Sequence, residues 1–124
     1  MLALALLTCS LPGYDYGKAS WYGNERAGRV MANRRRFDPR RHTAASNMYP
    51  LGTVLEVQAN GRTVHVTVTD RGPASRLGRL LDLSQSAAQA LHVHGRGILD
   101  VRVMVLKFKP EVSREASTEV QNVR

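Results

Sequence analysis

The chain has 124 residues, 43% of them hydrophobic, which suits one domain built around one small core. Lys and Arg together number 18 against 10 Asp and Glu, a net charge of +8, and only Lys18, Lys107 and Lys109 are lysines. Arginine is the planar fork that pairs with carboxylate and phosphate. The excess fits a polyanionic partner as well as it fits a merely solvated surface, and charge alone does not choose. Nucleic-acid binding is not expected, because residues 20–110 show little interleaving of basic and aromatic side chains.

Cys9 is the only cysteine, which excludes an internal disulfide. It follows the apolar run Leu2-Ala3-Leu4-Ala5-Leu6-Leu7, far short of the roughly 20 residues that span a bilayer. The run reads as the end of a signal-peptide core. Leu6-Leu7-Thr8-Cys9 resembles a lipobox, with Cys9 as a lipid attachment site, although Thr8 is large for that position and no basic residue precedes the run. Export to the cell envelope is the expectation, with residues 1–16 as targeting segment and linker ending at Pro12-Gly13.

From Gly17 onward the pattern is short strands punctuated by glycine. Lys18 to Tyr22 reads as a strand closed by Gly23. A polar connection follows, carrying Arg34-Arg35-Arg36 and Arg40-Arg41. Thr53 to Val57 alternates as a strand, and Asn60-Gly61 is a strong hairpin signal. Thr63 to Thr69 is the clearest strand: Val64, Val66 and Val68 face one way, Thr63, His65 and Thr67 the other. By that alternation Asp70 falls at the strand end on the valine side, before Gly72-Pro73 stops the strand. Leu80 to Leu83 is a further strand. Ser84 fits an N-cap for a short helix over Gln85 to Leu91, which Gly95 and Gly97 terminate. Ile98 to Phe108 reads as the last strand, and the polar stretch 109–124 as a disordered tail. Short strands at even spacing with one or two short helices indicate an all-β barrel or sandwich over 17–108.

Several segments then read together: Gly17-Lys18-Ala19-Ser20-Trp21-Tyr22-Gly23, Met31-Ala32-Asn33, Thr43-Ala44-Ala45-Ser46, Tyr49-Pro50-Leu51-Gly52-Thr53, Asp70-Arg71-Gly72-Pro73 and Gly78-Arg79-Leu80-Leu81-Asp82-Leu83-Ser84. In this order over residues 17–107 they resemble the rare lipoprotein A (RlpA) family. The resemblance implies a six-stranded double-psi β-barrel. It also implies a periplasmic lipoprotein acting as an endolytic peptidoglycan transglycosylase that prefers peptide-free glycan strands. The family aspartate falls on Asp70. Its glutamate falls on Arg35 and its histidine on Ser46, so two of three family positions depart. A barrel that binds wall glycan without cleaving it is the alternative.

Lytic cleavage needs a proton donor rather than a water nucleophile, and one carboxyl can act first as acid and then as base. Asp70 is the candidate, set where partial desolvation favours the protonated form of an acid. Arg35 is a candidate contact for a muramyl lactyl carboxylate, with Ser46, Arg71, Trp21 and Tyr22 as further substrate contacts. Glu25 and Asp82 read as a solvated charge and a backbone-bonding aspartate. His92 and His94 have ligand-like spacing on a strand but no third ligand, so neither metal nor cofactor is expected. The chain is expected to act as a monomer on glycan strands.

Overall fold

The computed structural model describes residues 13–72, 78–93 and 97–107. Cys9, Pro73, His94, Gly95 and the tail from Phe108 lie outside them. Six strands appear in chain order: β1 Tyr14–Tyr22, β2 Thr43–Ala45, β3 Val54–Ala59, β4 Arg62–Asp70, β5 Arg79–Ser84 and β6 Ile98–Lys107. Among the described residues one helix, α1, spans Gln85–Ala90, and one 3₁₀ turn spans Asn24–Arg26. The strands close into a barrel in the order β1-β5-β2-β4-β3-β6, with β6 pairing back onto β1. The pairs β1–β5 and β2–β4 are parallel and the others antiparallel. A closed sheet has no unpaired edge, which removes the usual aggregation hazard of a β protein.

The strand periodicity expected from the sequence holds where it matters most. Val64, Val66 and Val68 of β4 are buried, and they meet Leu55, Val57, Leu81, Leu83, Val101 and Val103 in one core. Fully burying each such aliphatic side chain stabilises by about 1.5–3 kcal/mol. Asn60 and Gly61 take φ of 53° and 71°, as a two-residue hairpin between β3 and β4 requires. Ser84 caps α1 by accepting from the Ala87 amide.

Two expectations need correction. β1 starts at Tyr14, inside the segment read as linker, because Tyr14 to Ser20 pair along the length of β6 from Met104 to Ile98. The Arg102 guanidinium lies 4.6 Å from the Tyr14 ring centre and clamps this first turn of strand. His92 is not on a strand. It takes φ +57° in the turn after α1, where the Asn60 side-chain amide donates to the Leu91 carbonyl at 2.9 Å.

A second, smaller core holds Tyr22, Met31, Phe37 and Ala45. Ala44 belongs to the main core and Ala45 to this one, so the two cores lie on opposite faces of β2. The connection between β1 and β2 folds over the second core. It is pinned by the isolated bridge between Val30 and Arg36 and by the Phe37 amide donating to the Arg29 carbonyl at 2.7 Å.

Candidate active site

The position of Asp70 follows from one irregularity. Ala44 pairs with Val68, but the next residue of β2, Ala45, pairs with Asp70. Thr69 is the extra residue, as in a bulge. A one-residue shift flips every later side chain to the other face. Asp70 therefore leaves the valine side and joins Ala45, which corrects the alternation reading. Thr69 is buried, and its hydroxyl donates to Met31 Sδ at 3.3 Å, in the second core.

Ala45 also pairs with Asp82, and Asp82 with Ser20. Asp70, Ala45, Asp82 and Ser20 thus form one cross-strand row over β4, β2, β5 and β1. Strands two apart are separated by roughly 10 Å, and this sets the spacing of the two aspartates along the sheet. The carboxyl of Asp82 accepts from the Ser20 hydroxyl in a short bond and lies 3.5 Å from Arg79 Nε. Asp70 is held differently. Its Oδ1 accepts from the Ala32 amide at 2.9 Å and from the Arg71 amide at 2.9 Å, while its backbone carbonyl accepts from the Ser46 amide. Neither bond uses Oδ2.

Tyr22 lies beneath this row. It is only 7% exposed and stacks at a tilt on Phe37, ring centres 4.8 Å apart. Its hydroxyl is buried without a hydrogen-bond partner among the described residues. Burial, then the charges of Asp70 and Asp82, push this hydroxyl up to about 12, against the opposing pull of Arg26. Tyr22 is floor rather than a substrate contact, because its ring is covered. Trp21 is partly buried against the main core.

Ser46 is also corrected. It is completely buried, its hydroxyl accepting from the Met48 and Tyr49 amides at 2.9 and 3.1 Å. That is the capping role of a turn serine, and no glycan reaches it. Arg71 reaches across to the turn that begins at Ser46. Its Nη1 donates to the Ser46 and Tyr49 carbonyls at 3.1 and 2.9 Å and ties down the same turn. Glu25 folds back on its own turn, both oxygens accepting from the Gly23 amide at 3.2 Å.

Arg35 is exposed and lines a cavity of about 680 Å³ together with Arg36, Arg40, Arg41, Asn33 and Thr69. Arg40 is paired with Asp38, and its hydrogen bonds hold that carboxyl below the usual carboxylate range. Arg36 donates to the Gly28 carbonyl at 2.8 Å. The Arg35 guanidinium makes no hydrogen bond or ion pair among the described residues, which leaves it able to receive an anion. Thr69 lines this cavity and Asp70 follows it directly, so the free cation and the candidate acid belong to one neighbourhood.

The model of a family described as "Lytic transglycolase" matches residues 15–103. The chain belongs to this family. Members of the lytic transglycolase family with sequence likeness include two proteins named probable endolytic peptidoglycan transglycosylase RlpA. The one from Aquifex aeolicus is 45% identical over 98 residues, covering 77% of this chain and 43% of the relative. The one from Nostoc sp. is 46% identical over 94 residues, covering 73% and 25%. An endolytic peptidoglycan transglycosylase RlpA from Vibrio cholerae is 38% identical over 106 residues, covering 83% and 40%. The chain thus spans less than half the length of each of these relatives. The Streptomyces papain inhibitor shares the barrel at a TM-score of 0.64 and 26% identity, over 77% of this chain and 96% of that one. An expansin of Clavibacter michiganensis shares the fold at a TM-score of 0.56 and 23% identity, over 76% and 50%. The barrel is the double-psi β-barrel of this lytic transglycolase family.

Proposed function

We propose that this barrel cleaves peptidoglycan glycan strands endolytically, with Asp70 as the one group that moves protons. The observation that carries the proposal is the Asp70 carboxyl itself. A bulge sets it at a strand end, two amides fix one of its oxygens, and an arginine-lined cavity adjoins it. The protonated acid gives its proton to the glycosidic oxygen, and that bond to the muramyl C1 breaks. The resulting carboxylate takes the proton of the sugar's C6 hydroxyl, whose oxygen bonds C1 and closes the 1,6-anhydro ring. The acid is restored and no water is consumed, so a single carboxyl suffices.

Arg35 serves the same reading as the contact for a lactyl carboxylate, which a peptide-free muramyl residue carries uncovered. With Ser46 buried and Arg71 committed to the turn, Asp70 and Arg35 remain as the principal polar groups offered to substrate. Action in the cell envelope, with a lipid on Cys9, belongs to the same proposal.

The test is incubation of the purified protein with peptide-free glycan strands, followed by mass spectrometry. Anhydromuramyl ends are expected from wild type and none from Asp70→Asn. Wild type that sediments with the strands yet forms no such ends would replace the enzyme by a glycan-binding barrel. Persistence of product in Asp70→Asn would move the acid elsewhere.

A further inference from the structure

Asp70 is flanked along the chain by two hollows of opposite character. Thr69 lines the arginine cavity. On the other side, the Gly72 amide donates to Asn47 Oδ1 at 2.9 Å, and Asn47 lines a cleft of about 420 Å³ with Tyr16, Met48, Arg79 and Leu80. The cleft is within the size range of sites for small organic ligands. Its surface is mostly apolar. Tyr16 is 68% exposed and Met48 55%, an unusual pair of large apolar groups to leave in water side by side. Among the described residues its one cation, Arg79, is paired with Asp82 at 3.5 Å, the other carboxylate of the cross-strand row.

The floor of the cleft is built rather than incidental. A Cβ on Gly17 would lie 2.6 Å from Leu80 Cγ, so glycine at this point of β1 is what lets Leu80 fold flat against the strand. The side chain of Tyr16 then stands free at the rim.

We infer that the Tyr16–Met48–Leu80 cleft is a second sugar subsite, taking an uncharged N-acetylhexosamine ring of the strand whose muramyl carboxylate sits in the arginine cavity. This rests on the glycan-cleaving reading given above. A pyranose ring carries its C–H bonds on its two faces, and such a face packs on an aromatic ring and a thioether while its rim hydroxyls meet Asn47 and Arg79. The wall strand alternates a carboxylate-bearing sugar with a neutral one. The two hollows match that alternation across Asp70.

The test is titration of the full chain with chitohexaose, a neutral oligomer of N-acetylglucosamine, followed by amide NMR. Shifts are expected at Gly17, Asn47, Met48 and Gly78. Tyr16→Ala should weaken binding about tenfold, the size of truncating an aromatic anchor, and Tyr16→Phe should restore it. Tyr16 is exposed, so neither variant threatens the fold. Shifts confined to the arginine cavity, or unaltered binding by Tyr16→Ala, would overturn the subsite. Anhydromuramyl product from wild type without any chitohexaose response at the cleft removes the subsite and keeps the cleavage reading. A cleft response without product keeps the subsite and removes cleavage.

Discussion

The backbone amide of Ala32 donates to the carboxyl of Asp70 across 38 positions of sequence, and this bond joins the arginine-rich connection to the end of β4. The Asn33 amide reinforces it by donating to the Thr69 carbonyl at 3.1 Å. The candidate acid is therefore also a clasp. Its side chain sets where the arginine cavity lies relative to the strand that carries it.

Replacing Asp70 separates these two roles. Asp70→Ala leaves the Ala32 and Arg71 amides without their acceptor and should cost about 1–2 kcal/mol of stability, since the site is only half-buried. Asp70→Asn keeps an oxygen in place and should lose less than about 1 kcal/mol while losing all cleavage. Urea midpoints of the two variants check this. Equal destabilisation by both would mean that the clasp needs the charge and not only the oxygen.

Arg71 should act on stability more than on substrate affinity. Its Nη1 bridges the Ser46 and Tyr49 carbonyls, two acceptors of one turn. A lysine ammonium also has several N–H donors on one nitrogen and can keep part of this bridge, whereas alanine keeps none. Arg71→Lys is expected to lose about 1 kcal/mol and Arg71→Ala about 2 kcal/mol, with faster amide exchange at residues 46–49. A variant of Arg71 with native exchange there but weakened glycan binding would return this residue to the substrate contacts.

Ser84 is a buried hydroxyl shared by three segments of the barrel. It is fully buried, donates to the Arg41 carbonyl at 2.6 Å, and accepts from the Thr43 amide at 3.1 Å and the Ala87 amide at 3.4 Å. It therefore joins the start of β2, the end of β5 and the first turn of α1. Ser84→Ala removes a helix cap and strands buried groups on two other segments, so a loss of about 2–4 kcal/mol is expected. Thermal unfolding measures it, and a loss below 1 kcal/mol would show that the three segments hold without this hub.

How much of this was legible before folding varies with the range of the cause. β4 and its hairpin could be read because valine alternation and Asn60-Gly61 are local signals. Ser84 could be read as a cap because a cap acts three residues away. The face of Asp70 could not, because the bulge exists only against Ala45, a partner on another strand. Ser46 was a candidate only through its place at the family's histidine position, and its burial depends on the turn that follows it, whose two amides claim its oxygen. Tyr14-Asp15-Tyr16 was hidden by Pro12-Gly13, which punctuates like a linker, while its partners on β6 lie more than eighty positions away. Asp82 had a local signal, standing between Leu81 and Leu83 and so pointing away from the lumen, but its row with Asp70 appears only through β2.

Tyr22 supplies the remaining test, and its sign can be fixed. The folded chain holds the phenolic proton up to about pH 12, while the unfolded chain releases it near the ordinary value of 10.0. Between those limits the folded state binds more protons, so stability falls as pH rises. The contribution is fully present below pH 10 and is lost on the way to about pH 12, reaching about 2 kcal/mol. Tyr49, also raised by burial and by its bond to Asp15, adds a loss of the same sign. Tyr22→Phe should remove only the Tyr22 share. At neutral pH the same variant deletes a buried hydroxyl that has no partner among the described residues, so it should be neutral or stabilising by up to about 1 kcal/mol. Denaturant unfolding of both proteins from neutral to strongly alkaline pH gives the answer. The advantage of Phe over Tyr must widen above pH 10, and a constant difference would show that the hydroxyl beneath Asp70 and Asp82 is hydrated rather than buried.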